Sequence, residues 1–158
     1  MSGINILIEK SARRLRAFSG EECLLEAQIS LGFGAEDGPK RREGDGRTPE
    51  GGYFVCTRNE RSKFFRALGL SYPNEQDALA AFREGMISQR EWDSISQRIQ
   101  NGQRPDWDTA LGGFIMIHGE HPDGREGDWT AGCIAIENGQ MQKLFDLAHL
   151  GCPVRILP

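Results

Sequence analysis

The 158-residue sequence predicts an α+β or mainly-β fold, and three observations carry that expectation. Apolar residues recur with period two over the first third of the chain. Helical patterns are confined to the middle and to one segment near the end. The strand-like runs follow one another instead of alternating with helices, as they would in a parallel βαβ protein. A chain of this length fits one domain.

Taken in order, Ile4, Ile6 and Ile8 lie on one face of an extended segment, "RLRAF" supplies a second short strand, and "SGEE" reads as a turn. Leu25, Ala27, Ile29 and Leu31 then interleave with Glu26, Gln28 and Ser30, which completes a meander with one buried face. Residues 32–52, "GFGAEDGPKRREGDGRTPEGG", are too rich in glycine, proline and charge for regular structure. A loop that long in a compact domain is usually functional or disordered. "YFVCTR" resumes a strand. Asn74 with Asp77, and Ser88 with Glu91, have the spacing of N-terminal capping pairs, so a helical insertion is expected over about residues 74–101. Its Trp92, Ile95 and Ile99 stripe is a core face, and Gly102 and Pro105 end it. "GGFIMIHG" and "CIAIE" are two further strands, separated by "EHPDGREGDWTAG". Met141, Leu144, Phe145 and Ala148 mark a C-terminal helix, Gly151 closes it, and "PVRIL" is the last strand.

Composition narrows the function. A net charge of −4 and a pI near 5.4 exclude a nucleic-acid binder that works by bulk electrostatics. No stretch approaches the ~20 apolar residues that cross a bilayer. The longest apolar run near the N-terminus is "ILI", too short for a signal peptide, so the chain is expected to be cytoplasmic as synthesised. Cys23, Cys56, Cys133 and Cys152 are widely spaced and contain no C-x-x-C pair; they read as reduced thiols, three of them core filler.

The chemistry-bearing residues are Cys133 and His118. His118 ends one expected strand and Cys133 begins the next. If those strands pair antiparallel, the two side chains meet at one end of the sheet, where an imidazole would lower the thiol pKa and hold a thiolate–imidazolium pair. Gly132 permits a tight backbone approach, backbone N–H groups from Ala131 to Cys133 would face a developing oxyanion, and Asp128, Trp129 and Thr130 would line the cleft. Taken alone, the pair fits a packed thiol and a histidine that merely caps a strand better than it fits a nucleophile and its base. His118, His121 and Cys133 with Asp123 also form an H-x-x-H…C set of zinc-ligand types, although on a strand end and a loop containing Pro122. His149 reads as a cation at a helix C-terminus. "GPKRREGDGRTPEGG" lacks the G-K-[ST] ending of a phosphate loop.

"RTPEGGYFV", "IMIHG" and "TAGCIAI", in that order, resemble the L,D-transpeptidase (YkuD-type) catalytic domain, closest to its murein transpeptidase/hydrolase-like branch. The resemblance runs from about Lys10 to the last strand. It implies a mixed β-sandwich with a helical insertion and a C-terminal helix, and an enzyme needing no cofactor. Cys133 is similar to the family nucleophile and His118 to its general base. Gly119 and Gly132 fall on the motif glycines, Thr130 on its Ser/Thr position, and Thr48, Pro49 and Gly51 on a loop that scaffolds the cleft. Ala131 stands where a second histidine is usual, Ala135 where an arginine is common, and the span from His118 to Cys133 is shorter than usual. The implied activity is acyl transfer on peptidoglycan stem peptides through a thioester, with an amine or water as acceptor. A binding module for wall fragments or a partner protein is the reading from a different class. Peptidoglycan lies outside the cytoplasm, so the resemblance implies action at the cell envelope after export by another route, action on recycled wall fragments, or a leader that this sequence does not include.

Overall fold

The structure, a computed structural model describing residues 3–158, is a mixed eight-stranded sheet with three helices, the α+β architecture expected. The strands are β1 (Ile4–Glu9), β2 (Arg14–Ser19), β3 (Glu22–Gln28), β4 (Gly51–Ser62), β5 (Phe65–Leu70), β6 (Met116–His118), β7 (Ile134–Ala135) and β8 (Pro153–Leu157). The helices are α1 (Glu75–Arg83), α2 (Gln89–Gln100) and α3 (Asn138–Leu147).

The sheet order is β3-β2-β1-β8-β4-β5-β6-β7. The period-two pattern of the first three strands becomes an antiparallel meander whose alternate residues, Ile6, Ile8, Leu15, Ala17, Leu25 and Ala27, are buried. The last strand in sequence, β8, inserts between β1, to which it is parallel, and β4, to which it is antiparallel. Val154 and Ile156 thereby join the same core. That core continues through Leu68, Leu70, Ile117 and Ile134 to Met141, Leu144 and Phe145 of α3. Each such side chain contributes about 1.5–3 kcal/mol by leaving water.

Two departures from expectation shape the site. β5 was not legible: four consecutive buried residues, Ala67 to Leu70, erase the alternation that marks a half-buried strand. β6 and β7 pair parallel, not antiparallel, with Ile117 opposite Ile134 and His118 opposite Ala135. The reason lies at the far edge of the sheet. Beyond β3, Ser30 and Ala135 exchange two backbone hydrogen bonds of 2.9 Å, which curls the sheet until its outer strands meet. That antiparallel bridge sets the direction of β7 and sends residues 119–133 across the open end of the curl.

Both capping boxes form, Asn74 with Asp77 and Ser88 with Glu91, and Phe82 of α1 stacks on Trp92 of α2 at 4.9 Å. At the C-terminus of α3 the capping cation is Arg58, which donates to the Phe145 and Ala148 carbonyls; His149 is exposed beyond it. Of the cysteines expected as core filler only Cys152 is buried; Cys56 is half-buried and Cys23 exposed.

Candidate active site

The long glycine-rich loop is the floor of the site. It opens with a 3-10 turn at Ala35–Asp37 and folds on itself through Gly34 N–H to Gly46 O at 2.7 Å. The Asp45 carboxylate gathers the Arg41, Arg42 and Arg47 N–H groups. Two buried threonines then tie this floor to the cysteine loop. The Thr48 hydroxyl donates to Gly132 O at 2.9 Å and accepts from Gly32 N–H at 3.0 Å. The Thr130 hydroxyl donates to Cys133 O at 2.6 Å and accepts from Gly132 N–H at 3.1 Å. Gly32 is indispensable here, since a Cβ on it would lie 2.1 Å from Gly46 O and 2.9 Å from Gly132 Cα. Gly132 itself has φ 139°, a conformation side chains rarely adopt.

Cys133 stands one residue before β7, against the start of β6. The Met116 N–H donates to its Sγ at 3.4 Å, and the thiol donates to Phe114 O at 3.3 Å. His118 and Ala135 are paired, and side chains two residues apart on a strand share a face. Cys133 and His118 therefore belong to one face of the sheet, by parallel pairing instead of the expected hairpin.

His118 is almost completely buried. The Phe64 ring stacks on it at 4.4 Å and 22°, and Trp129 lies 5.6 Å away. Its Nδ1 is 2.8 Å from Gly119 O. A carbonyl only accepts, so Nδ1 carries the hydrogen and Nε2 keeps a free lone pair. Burial in this apolar box lowers the His118 pKa, against the opposing pull of the Gly119 carbonyl. Burial raises the Cys133 thiol pKa, against the Met116 N–H and the positive charge of Lys40. Both shifts have burial as their largest cause, and both run against the thiolate–imidazolium pair expected from sequence.

Gly119 is a close crossing point, where a Cβ would lie 2.3 Å from Asn138 Oδ1 and 2.7 Å from Phe64 O. Asp128 binds Arg13 through both carboxylate oxygens, at 3.1 and 2.6 Å, and accepts from Leu31 N–H, which anchors the cysteine loop to the β1–β2 turn. Trp129 walls His118 and also borders an open cleft of about 1000 Å³ that touches Ser30 and Ala135 but neither Cys133 nor His118. Ala131 is exposed beside the thiol. Among the described residues no group of three or more His, Cys, Asp or Glu is placed to hold a metal. His121 lies edge-on to Trp129 at 5.0 Å and accepts the Asp123 N–H.

Sequence reasoning missed three aromatic residues here. Phe64 forms the histidine box, and the exposed Phe33 and Phe114 lie on the two segments that contact the cysteine loop. Nothing in the local pattern separates them from core aromatics, because their exposure is set by distant backbone.

The L,D-transpeptidase catalytic domain family model (YkuD) matches residues 4–156. No curated protein sequence matches the chain. Among solved structures, the helical cell shape determining protein Pgp2 from Campylobacter jejuni is similar at 24% identity and a TM-score of 0.68, over 97% of this chain and 46% of that one. Bd1075 from Bdellovibrio bacteriovorus is similar at 25% identity and a TM-score of 0.63, over 99% of this chain and 48% of that one. An L,D-transpeptidase from Xylanimonas cellulosilytica shares 16% identity, with a TM-score of 0.56, over 98% of this chain and 60% of that one. The chain thus spans about half the length of the first two structures. No helix is long and apolar enough to cross a membrane among the described residues.

Proposed function

The chain belongs to the L,D-transpeptidase catalytic-domain family, and from that premise we propose that it performs cysteine-dependent acyl transfer on peptidoglycan stem peptides. His118 Nε2 takes the proton of the Cys133 thiol, and the sulfur attacks the carbonyl carbon of the third stem residue. The tetrahedral oxyanion is held by the Cys133 and Ala131 N–H groups, since the Gly132 N–H is already engaged by Thr130. The C–N bond to the terminal D-residue breaks, its nitrogen leaves with the proton from His118, and a thioester remains. An amine then attacks the thioester carbonyl, gives its proton to His118, and the acyl group leaves sulfur as a new amide; the thiol recovers its hydrogen. With water as acceptor the same residues hydrolyse the bond.

The observation that carries this reading is the hydrogen bonding of the two groups. His118 is locked by Gly119 O with its basic nitrogen free, on the sheet face shared with a thiol that only backbone groups hold. Burial disfavours the charged form of each group, which favours proton transfer in the course of attack. The thiol must release Phe114 O to turn toward His118.

Incubating the protein with tetrapeptide muropeptides, with and without a free D-amino acid, tests the proposal by mass spectrometry. Exchange of the terminal residue is expected from an acyltransferase and tripeptide from a hydrolase, each through a thioester adduct lost in Cys133→Ala. Unchanged muropeptides with retained binding of both proteins to wall fragments would overturn it in favour of a binding module.

A further inference from the structure

The arginines of the glycine-rich loop converge on a pocket that the acyl-transfer chemistry does not use. Arg41, Arg42 and Arg47 line a cavity of about 460 Å³, and Asp45, Glu84 and Met86 complete its wall. Neither Cys133 nor His118 borders it.

A single carboxylate sets all three arginines in place. One Asp45 oxygen accepts the Arg41 and Arg42 N–H groups at 2.8 and 3.0 Å, and the other accepts the Arg47 N–H at 3.1 Å. The chain turns back through Gly44 and Gly46, at φ 80° and 68°, and so returns Arg47 to the side of Arg41 and Arg42. In a phosphate loop the backbone N–H groups cradle the anion. Here they are engaged by Asp45, which leaves recognition to the guanidinium groups.

The charges around the pocket do not cancel. Lys40 pairs with Asp45 at 3.2 Å, and Arg41 holds both Glu84 oxygens at 2.8 and 2.9 Å. Arg42 and Arg47 have no side-chain hydrogen bond or ion pair among the described residues, so two positive charges face one cavity. Arg47 is half-buried, and no protein anion offsets the desolvation of its charge. A carboxylate would bring one negative charge and two oxygens. A phosphomonoester brings about −1.5 to −2 and three strong acceptor oxygens, which matches two free guanidinium forks.

The surroundings limit the ligand further. The cavity is larger than a bare phosphate, and half-buried Met86 offers an apolar wall to whatever the phosphate esterifies. A neighbouring cleft of about 430 Å³ shares Arg41, Arg47, Glu84 and Met86, and is lined also by Asp37, Glu50 and Asp77. Those carboxylates repel a second phosphate and so favour one phosphate over a chain of them.

We infer that Arg42 and Arg47, with Arg41 beside them, form a binding site for the phosphate of a small phosphomonoester whose organic part lies against Met86. The site stands apart from the acyl-transfer reading, and neither depends on the other.

The test is a titration of the full chain at fixed ionic strength, read from the backbone N–H resonances of Arg41, Arg42 and Arg47. The probes are phenyl phosphate, inorganic phosphate, dimethyl phosphate and acetate. Phenyl phosphate is expected to bind tightest and inorganic phosphate next. Dimethyl phosphate and acetate, each with one charge, should bind at least roughly tenfold more weakly than inorganic phosphate, the value of one charge-assisted contact. Arg42→Gln and Arg47→Gln should each weaken phosphate about tenfold. Arg42 has an exposed side chain without a partner, so its replacement leaves the fold intact. Arg61→Gln, which removes an exposed charge outside the pocket, should change nothing, and Cys133→Ala should bind phosphate as the native protein does. The inference is overturned by no binding of either phosphate, by acetate or dimethyl phosphate binding as tightly as inorganic phosphate, or by phenyl phosphate binding no tighter than inorganic phosphate. Equal losses in Arg42→Gln and Arg61→Gln would overturn it too, since net charge alone would then account for binding. Loss of muropeptide turnover in Cys133→Ala with phosphate binding kept is the result that separates the two sites.

Discussion

The β1–β2–β3–β8 half of the sheet and the β6–β7 edge hold their shape by different means. In the first, strands of five to seven residues register against one another and bury alternate aliphatic side chains. In the second, strands of three and two residues pair over only two positions, and polar groups do the fixing: Thr48, Thr130, the Ser30–Ala135 bridge and the Arg13–Asp128 pair. Aliphatic packing is non-directional and gives stability. Hydrogen bonds are directional and give position. The difference teaches that stability and chemistry are separable in this molecule.

The largest expected effect tests the frame. Ile8→Ala, at a fully buried position in β1, should cost ~2–5 kcal/mol of unfolding free energy. It should leave kcat/KM per folded molecule unchanged, as denaturant titration and activity on the same samples will show. A fall in kcat/KM would erase the distinction between the two regions.

Thr48→Val reverses the pattern. It keeps the shape but strips the hydroxyl from between Gly32 N–H and Gly132 O, which costs ~1–3 kcal/mol for each group left unpaired. Because the clamp positions the residue before the nucleophile, kcat/KM should fall by about 10²-fold. If Tm falls but kcat/KM does not, Thr48 belongs with the frame.

The smallest effect is a pH dependence that sharpens the account of His118. Its pKa in the folded protein is depressed by burial, so the base stays neutral to lower pH than a free imidazole. The acid limb of kcat/KM should therefore have its midpoint below 6.5, and Phe64→Ala, which opens the box, should move that midpoint up. The linkage has a matching sign. A histidine with a depressed folded pKa contributes stability that is present above its unfolded pKa and lost as pH falls through the folded one. Chemical denaturation across that window should show the loss in the native protein and less of it in Phe64→Ala.

Much of this was legible along the chain. Alternation marked β1 and β3, the Asn74/Asp77 and Ser88/Glu91 pairs marked the helix starts, and the order of "RTPEGG", "HG" and "TAGC" pointed to the family. Each of these is a property of near neighbours: a two-residue pleat, a three-residue cap, a motif of a few residues. β5 escaped because a strand covered on both faces loses its period, and the direction of β7 escaped because Ser30, more than a hundred residues away, sets it.

The sequence by itself determined the class of fold, the caps and the two residues to watch. Only the tertiary structure decided that Cys133 and His118 share a face through parallel pairing and that burial works against the charged form of both, and that Asp128 is an anchor, Gly132 N–H is engaged, and Phe114 stands exposed beside the thiol. The reason is physical. Local preference is written in residues a few positions apart, whereas protonation, exposure and hydrogen-bond partners depend on which distant backbone arrives to displace the water.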